Sequence, residues 1–274
     1  MNYIMYNGTI IQEDNFIIQP TNRAFCYGDG LFETIVYKEG KLLYIEDHLN
    51  RISKGLLQLA INLPKGLTIS NLSDMVKKLV IENKLHNNAR VKLQVWRKPG
   101  GLITPESSEA DYTIVATELK KPIEVKVKAL ISENIKLYPT NLSKFKTLNF
   151  LPYIQAGIEK KKRAVDEIIL TDLNGNLAEA SSSNIFWAIS DNLFTPALET
   201  GCIEGIMRKQ IINYCKEENI TIKEGLFPVS LLNQAELVFT SNVTGLSLIE
   251  NINNSKINTQ YTIYQSIKIG LDLI

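Results

Sequence analysis

The sequence predicts an α/β protein that is built from mixed β-sheets and divided into two domains. Strand-like runs outnumber helical ones, hairpin turns are frequent, and strands do not alternate regularly with helices as a doubly wound parallel sheet requires. The 274 residues correspond to about two domains of roughly 150 residues each. We therefore predict a small N-terminal α/β domain at residues 1–118, a linker at 119–124 and a larger C-terminal domain at 125–274.

The N-terminal domain contains a hairpin and two helical patterns. Asn7-Gly8 is a strong turn signal between two apolar runs, Tyr3–Met5 and Thr9–Ile11. Apolar residues at helical spacing predict helices over about Glu46–Leu59 and Asn71–Asn83. The other predicted strands of this domain are Leu31–Tyr37, Leu42–Tyr44, Arg90–Trp96 and Tyr112–Thr117.

The C-terminal domain contains a long predicted helix at Thr147–Lys162. Leu151, Ile154 and Ile158 recur at helical spacing, so we expect them to line its inner face. Pro152 falls within about the first turn, where its missing N–H costs little.

A second amphipathic helix is predicted at Glu204–Glu218, with Ile206, Ile211 and Cys215 on its inner side, and a last helix at about Thr259–Leu271. The predicted strands of the domain are Val125–Ile131, the hairpin of Ile168–Leu170 with Asn176–Leu177, the hairpin of Ile185–Ile189 with Leu193–Phe194, and the pair Leu237–Thr240 and Leu246–Ile249.

Composition excludes several classes of protein. With 45% hydrophobic and 22% charged residues, the chain is neither largely disordered nor a coiled coil. A net charge of +1 offers no general attraction for nucleic acid or an anionic membrane, and no apolar run reaches the roughly 18 residues of a membrane helix. The N-terminus has no signal-peptide pattern. We therefore expect neither a nucleic-acid nor a membrane partner.

Cysteine and histidine usage points to the cytoplasm and away from metal chemistry. Cys26, Cys202 and Cys215 are widely spaced and form no CxxC pair, which predicts a reducing cytoplasm. His48 and His86 are the two histidines, and neither has other ligand residues at metal spacing. Chemistry at neutral pH without a metal or a catalytic histidine favours an organic cofactor bound by charged side chains.

Two segments carry side chains suited to such a cofactor. Lys146, within Ser143–Asn149, precedes the predicted helix, and a partly neutral lysine amine can form a Schiff base with an aldehyde. Glu179 is followed by the small residues Ala180–Ser183 and can pair with a pyridinium nitrogen. A solvated lysine and a polar loop that turns the chain are the structural alternatives.

Two other segments supply groups that bind phosphate. In Gly201–Arg208, small residues precede a predicted helix. The free N–H groups of that helix at Gly205, Ile206 and Met207 can hold a phosphate dianion. Arg51 can add a bidentate cation. The alternatives here are an ordinary helix start and an exposed helical arginine.

Taken in order, the four segments resemble those of the class IV aminotransferases, the fold-type IV pyridoxal 5′-phosphate (PLP) enzymes. The resemblance extends from Arg23–Glu33, which reads RAFCYGDGLFE, to Thr240–Asn242. It implies a two-domain fold like that of D-amino acid aminotransferase, with PLP between the domains. It also implies a homodimer and a small-molecule amino substrate.

The resemblance also implies a role for each site residue. Lys146 matches the catalytic lysine that binds the cofactor aldehyde, and Glu179 matches the acid that faces the pyridine nitrogen. The other residues with an implied cofactor-binding role are Arg51, Gly205, Ile206 and Met207 at the phosphate, Ile203 against the ring, and Asn242 and Thr244 on the far side. Tyr27, Phe32 and Arg97 are predicted to bind substrate, with a structural role for Arg97 as an alternative.

Two short sequence motifs predict which reaction of the family the enzyme catalyses. Gly205–Arg208, which reads GIMR, and Ser241-Asn242 resemble the lyase branch, and this implies 4-amino-4-deoxychorismate lyase, which eliminates pyruvate to give 4-aminobenzoate for folate biosynthesis. Leu102, however, stands where lyase relatives often have an arginine that suits a carboxylate.

Two alternatives remain open. A branched-chain or D-amino acid transaminase that uses 2-oxoglutarate is one, although Val95-Trp96-Arg97 replaces the Tyr-x-Arg pattern of branched-chain enzymes. A non-catalytic dimeric pseudoenzyme is the other, but we expect such a protein to have lost Lys146 or Glu179, and both are present.

Overall fold

The computed structural model describes residues 2–86, 88–257 and 262–273. The chain divides into two compact units. The N-terminal unit comprises Met1–Lys120 and Phe145–Asn149, and the C-terminal unit comprises Lys121–Lys144 and Phe150–Ile274. The boundary between Lys120 and Lys121 lies inside the predicted linker at 119–124. Phe145–Asn149, which the sequence analysis assigned to the C-terminal domain, packs with the N-terminal unit.

The N-terminal unit is an antiparallel sheet with helices packed on it. Its elements are β1 (Tyr3–Tyr6), β2 (Thr9–Gln12), a 3-10 turn (Glu13–Asn15), α1 (Arg23–Tyr27), β3 (Gly30–Lys38), β4 (Lys41–Leu42), α2 (Ile45–Gln58), α3 (Ile69–Glu82), β5 (Asn88–Arg97) and β6 (Ala110–Glu118). The strands lie in the order β2-β1-β6-β5-β3-β4, and each adjacent pair is antiparallel. The predicted hairpin at Asn7-Gly8 and both predicted helices are confirmed.

Alternate residues of β5 point into the core of this unit. Val91, Leu93 and Val95 are completely buried, as expected for one face of a strand. Helices α2 and α3 cover the sheet with buried residues such as Leu56 and Val76. The predicted strand Leu42–Tyr44 is wrong at its end, because Tyr44 has a left-handed backbone (φ 52°) and caps α2.

The C-terminal unit contains two mixed sheets. Its elements are β7 (Val125–Lys126), β8 (Ala129–Leu137), α4 (Leu151–Lys162), β9 (Glu167–Asp172), β10 (Leu177–Ala180), β11 (Asn184–Ile189), β12 (Asn192–Pro196), α5 (Ile206–Glu217), β13 (Ile222–Gly225), β14 (Leu237–Asn242), β15 (Gly245–Ile249), β16 (Asn251–Ile252), β17 (Ser255–Lys256) and α6 (Thr262–Gly270), with 3-10 turns at Leu198–Thr200 and Val229–Gln234. The strand orders are β10-β9-β8-β16-β17 and β13-β12-β11-β14-β15-β7. Both sheets combine parallel and antiparallel pairs, so the predicted mixed sheets are confirmed here.

The two sheets of this unit share one hydrophobic core. Ile169 and Leu177 from the first sheet cluster with Ile185, Trp187 and Val238 from the second. On the other side of the first sheet, Ala156 of α4 joins a separate buried cluster with residues of β8 and β9. Strand β10 is the edge strand of the first sheet and also contacts β11 of the second.

The predicted strand Val125–Ile131 is wrong as a single element. The chain leaves β7, which pairs with β15, and enters β8, which pairs with β9 and β16 in the other sheet. The crossing occurs at Lys128, whose backbone N–H donates to the Asp166 carboxylate (3.0 Å) and whose carbonyl accepts from the Asp166 N–H (2.8 Å). A periodicity of two residues does not reveal which sheet each residue joins.

The predicted helix at Thr147–Lys162 begins four residues later than expected, at Leu151. The preceding backbone is extended beside β3, because the Phe32 N–H donates to the Lys146 carbonyl (2.8 Å) and the Leu148 N–H donates to the Gly30 carbonyl (2.9 Å). Pro152 lies in the first turn of α4, as predicted.

The predicted inner face of this helix is also wrong. Leu151, Ile154 and Ile158 are 63%, 54% and 62% exposed, and Ala156 is the buried contact with the sheet. The second amphipathic helix is confirmed as α5, with Ile206, Ile211 and Cys215 buried. Of the predicted last helix, the described part is α6, and residues 259–261 lie outside the described residues.

Candidate functional site

Lys146 lies on an anchored, extended segment of the N-terminal unit. The neighbouring Phe145 ring is buried and packs against Gly55 of α2, where an added Cβ would lie 3.1 Å from the ring. Hydrogen bonds to β3 fix the backbone on either side of Thr147. The Lys146 Nζ lies 4.8 Å from the centroid of the Phe32 ring. The amine is therefore held at a defined place beside β3, next to one of the predicted substrate-binding residues.

Arg51 belongs to a buried cluster of charged side chains. Its Nε lies 2.7 Å from Glu33 Oε1 and its Nη2 lies 2.5 Å from Glu33 Oε2, a bidentate ion pair. His48 Nδ1 lies 2.7 Å from the same Oε2. Burial by itself raises the pKa of Glu33, but Arg51 and His48 outweigh it and lower the pKa to about 2. Glu33 therefore remains a carboxylate that orients the guanidinium.

The sequence analysis did not identify Glu33, although a signal existed. Leu31, Glu33 and Ile35 occupy alternate positions of β3 and are all buried, so the acid shares the core-facing side of the strand. A carboxylate at such a position requires a cationic partner. His48 and Arg51, three residues apart on α2, share one helix face and supply it.

Arg97 is saturated by contacts inside the N-terminal unit. Its Nε and Nη2 contact the Asp29 carboxylate at 2.9 and 3.4 Å. Its other donors reach the carbonyl oxygens of Leu59, Ala60 and Ser107. All five N–H groups of a guanidinium are thereby used. This arrangement favours the structural alternative for Arg97 over the predicted contact with substrate.

Arg23 was missed by the sequence analysis and organises the loop that contains Leu102. Its Nε contacts Asp29 at 2.7 Å, and its Nη1 donates to the carbonyl oxygens of Gly100, Gly101 and Leu102. Its guanidinium also lies 4.8 Å from the ring of the half-exposed Tyr27. The Leu102 side chain is itself exposed.

In the C-terminal unit, Glu179 and Ile203 come together as hydrogen-bonding partners. Glu179 lies on β10 and is 3% exposed. The Ile203 N–H donates to both carboxylate oxygens, at 3.2 and 3.3 Å, and the Tyr153 hydroxyl donates to Oε1 at 2.5 Å. Tyr153 was not among the predicted site residues. The result is a buried carboxylate that two donors hold in one orientation.

The start of α5 is a buried helix N-terminus. Gly205 is the N-cap, and within the described residues no side chain caps the helix. Ile206 and Met207 are buried in the first turn. Asn184 Nδ2 donates to the Ile203 carbonyl (2.8 Å). A Cβ added at Gly205 would lie only 1.9 Å from Asn184 Oδ1, so the close packing requires glycine here. A helix start of this kind attracts a phosphate dianion through its N–H groups and its dipole.

Asn242 and Thr244 form a hydrogen-bonded turn between β14 and β15. Asn242 Oδ1 accepts from the Thr244 N–H (2.9 Å) and from its hydroxyl (2.6 Å), and Asn242 Nδ2 donates to Ser183 Oγ (3.1 Å). Ser183 follows β10, so the amide of Asn242 ties this turn to the one after Glu179. The neighbouring Ser241 hydroxyl is buried without a hydrogen-bond partner in the described part of the chain.

A buried ion pair between Lys126 and Glu167 is hydrogen-bonded to the turn that follows Glu179. Lys126 Nζ lies 2.6 Å from Glu167 Oε2 and 2.8 Å from Thr240 Oγ1. Glu167 Oε1 accepts from the Ser181 hydroxyl (2.5 Å) and N–H (3.2 Å). Neither Lys126 nor Glu167 was predicted as a site residue, because each lies within an otherwise apolar or short strand pattern.

The groups present fit the functional groups of PLP. The N-terminal unit offers a lysine amine for an aldehyde and an arginine for a phosphate. The C-terminal unit offers a buried carboxylate for a pyridinium nitrogen and an uncapped helix start for a phosphate. This donor set contains the three kinds of group that the cofactor requires.

Replacing Gly205 by alanine is expected to weaken PLP binding by about 10-fold and to destabilise the fold by about 1–3 kcal/mol, because the new methyl group collides with buried Asn184. Absorbance titration with PLP and thermal unfolding measure the two effects. Gly157→Ala is the matched control, since a Cβ there meets nothing within 4 Å in a helix. Unchanged PLP affinity in Gly205→Ala would contradict a phosphate contact at this helix start.

No helix within residues 2–86, 88–257 and 262–273 is long and apolar enough to cross a membrane. In the same described ranges, no three His, Cys, Asp or Glu side chains form a group that could bind a metal ion.

Comparison with known proteins gives concordant matches along the chain. Residues 30–252 match the class IV aminotransferase family. The aminodeoxychorismate lyase of Bacillus subtilis (strain 168) is 28% identical over 263 residues, which cover 93% of this chain and 86% of that protein. A putative branched-chain-amino-acid aminotransferase of Methanocaldococcus jannaschii is 27% identical over 263 residues, with 94% and 90% coverage.

Solved structures show the same fold. The branched-chain aminotransferase of the archaeon Thermoproteus uzoniensis, solved with norvaline, has a TM-score of 0.89 to this chain at 22% identity. The match covers 99% of this chain and 95% of that one. The family, the fold class and the cofactor predicted from the sequence are thereby confirmed. The chain belongs to the class IV aminotransferase family, has its fold-type IV architecture and is a PLP-dependent enzyme.

Proposed function

We propose that this enzyme is a 4-amino-4-deoxychorismate lyase, which eliminates pyruvate from its substrate and leaves 4-aminobenzoate. The observation that carries the proposal is Asn242, the residue of the lyase-like Ser241-Asn242 pair, whose amide bridges Ser183 and Thr244. The GIMR sequence at the start of α5 and the Bacillus subtilis relative support the same reaction. Aromatisation of the ring supplies the driving force, so no second amino acceptor is needed.

The residues of both units have separate tasks in this proposal. PLP, when bound, supplies an electron sink for negative charge that develops at the substrate carbon. Lys146 would hold the cofactor through its aldehyde carbon, and its amine would take up and return a proton at the substrate as a general base and acid. The Glu179 carboxylate would pair with the pyridine nitrogen and favour the protonated form of that nitrogen.

The phosphate and the rest of the cofactor are bound by the remaining predicted residues. Arg51, oriented by Glu33, and the N–H groups at the start of α5 bind the phosphate. Ile203 would contact the cofactor ring, and the turn of Asn242 and Thr244 would contribute to holding the cofactor. The burial of Ile203 and the hydrogen bonds of that turn support these roles.

We also infer that the protein is a homodimer, as is typical of the family. The apolar stripe of Leu151, Ile154 and Ile158 on α4, exposed in the single chain, supports a contact with a second copy. A cytoplasmic location stays a prediction from the cysteine pattern.

An amino-acid transaminase is the second candidate, and one observation favours it. A lyase substrate carries carboxylates that need cationic partners. Leu102 is apolar, and the donors of Arg97 are all engaged within the N-terminal unit. The Methanocaldococcus jannaschii relative, named as a putative branched-chain-amino-acid aminotransferase, is almost as similar as the lyase.

A paired assay distinguishes the two reactions. With chorismate, glutamine and an aminodeoxychorismate synthase, the enzyme is expected to release pyruvate and 4-aminobenzoate in equal amounts. Pyruvate is followed with lactate dehydrogenase, and the synthase without this enzyme serves as the background. Rapid amino transfer from leucine or D-alanine to 2-oxoglutarate, with pyruvate only at background, would establish the transaminase instead.

A further inference from the structure

The Tyr153 hydroxyl makes a short hydrogen bond to the carboxylate of Glu179. The Tyr153 oxygen lies 2.5 Å from Glu179 Oε1, within the C-terminal unit. Distances near this value are typical of hydroxyl donors on charged acceptors, which are the stronger class of hydrogen bond. Together with the Ile203 N–H, it gives Glu179 donors from two separate elements.

The tyrosine ring is itself fixed in place. It stacks on Phe150 at 4.1 Å between centroids, with 21° between the ring planes. It also packs against the buried cluster that joins α4 to the first sheet of this unit. A ring held in this way directs its hydroxyl with little loss of rotamer entropy when the hydrogen bond forms.

Burial and the neighbouring Glu179 carboxylate raise the pKa of Tyr153 well above its usual value. The hydroxyl therefore stays protonated at neutral pH and acts as a donor. A donor to the charged form of a carboxylic acid stabilises that form. The hydrogen bond from Tyr153 therefore favours the ionised form of the buried Glu179 carboxyl.

We propose that Tyr153 is a positioning residue that holds the Glu179 carboxylate in the orientation and ionised state it needs to pair with the pyridine nitrogen of PLP. This inference rests on the proposed role of Glu179, but it does not depend on whether the reaction is elimination or transamination. Tyr153 acts through Glu179 and does not touch the reacting atoms. Its loss should therefore alter the protonation of the pyridine nitrogen.

Tyr153→Phe is the direct test, because it removes the hydroxyl and retains the stacked ring. With PLP labelled with ¹⁵N in the pyridine ring, we expect a smaller fraction of protonated nitrogen at neutral pH in the variant, because loss of the donor makes the Glu179 carboxylate more basic and favours the proton on that carboxylate. Removal of one charge-assisted hydrogen bond is expected to lower kcat by about 10-fold. KM should change little, and thermal unfolding without cofactor should show a folded protein.

Two controls make the result specific. Tyr138→Phe removes the hydroxyl of an exposed tyrosine in the same unit and should leave the nitrogen titration unchanged. In a Glu179→Gln background, Tyr153→Phe should cause no further shift, because the carboxylate it acts through is gone. Should Tyr153→Phe fail to fold, 3-fluorotyrosine at position 153, with a more acidic hydroxyl and nearly the same shape, should raise the fraction of protonated nitrogen, because a stronger donor makes the carboxylate less basic.

The outcomes separate this inference from the proposed site. A folded Tyr153→Phe variant with a wild-type nitrogen titration, or a fluorotyrosine variant without a shift, would overturn the positioning role. Absence of the absorption band of lysine-bound PLP in the wild-type enzyme would instead overturn the assignment of the cofactor site.

Discussion

Replacing Lys146 by alanine is expected to abolish the near-visible absorption band of lysine-bound PLP. It is also expected to reduce kcat by about 10²- to 10⁴-fold or more, since loss of a positioned acid–base group alone has this effect. The extended segment beside β3 places the Lys146 Nζ next to Phe32. Spectra of the PLP-loaded variant, followed by kinetics of the reaction identified above, measure both effects.

Lys144→Ala is the control for this prediction. Lys144 lies two residues earlier and is exposed, and its backbone carbonyl, which accepts from the Glu204 N–H, is unaffected by the substitution. We expect the control to retain the band and most of the activity. Lys146→Arg, which preserves the positive charge, should lose the band as completely as the alanine variant. A band that persists in Lys146→Ala and disappears in Lys144→Ala would transfer the role to Lys144.

Replacing Glu33 by glutamine is expected to destabilise the folded protein by about 3–5 kcal/mol, because it breaks a buried bidentate ion pair with Arg51 by removing the charge of one partner. The amide is neutral and cannot accept both contacts of the guanidinium and that of His48 as a carboxylate does. Urea unfolding of the full chain measures the change. Glu118→Gln, an exposed acid on β6, should change the stability by no more than about 0.5 kcal/mol.

The same carboxylate predicts a dependence of stability on pH. The pKa of Glu33 is about 2 in the folded chain against an ordinary value of 4.5. Because the folded form binds the proton less readily than the unfolded form, this contribution is complete above about pH 4.5 and is lost as the pH falls from there towards 2. Wild type should therefore lose more stability than Glu33→Gln between about pH 6 and about pH 3. Equal losses in the two proteins would show that the buried pair does not cause the acid sensitivity.

Much of the secondary structure follows from local patterns. The hairpin at Asn7-Gly8 depends on two residues that tolerate a left-handed backbone, and both have positive φ angles in the structure. The inner positions of α5 follow from apolar spacing over three turns. Such features are decided by residues near one another in the chain, so the sequence predicts them.

The predictions that are wrong concern segments whose surroundings are distant in sequence. The sequence predicts a helix from Thr147, but hydrogen bonds to Gly30 and Phe32 of β3 hold the residues before Leu151 extended. The strand predicted at Val125–Ile131 divides because Asp166 bonds the backbone at Lys128 and directs the chain into a second sheet. In both places the competing contacts come from another element, and local periodicity contains no information about them.

The sequence by itself determined the family, the cofactor, and the residue types that suit it: an amine at position 146, an acid at 179, and a glycine-preceded helix start at 205. Tertiary structure alone decided how these groups are held. Tyr153 lies 26 residues from Glu179, and Glu33 lies 18 residues from Arg51. Lys126 lies 41 residues from Glu167. Partners of buried charges are chosen by which elements pack together. Packing removes these charged groups from water, so each of them needs a hydrogen-bonding partner within the protein. No pattern within a single helix or strand specifies which residue that partner is.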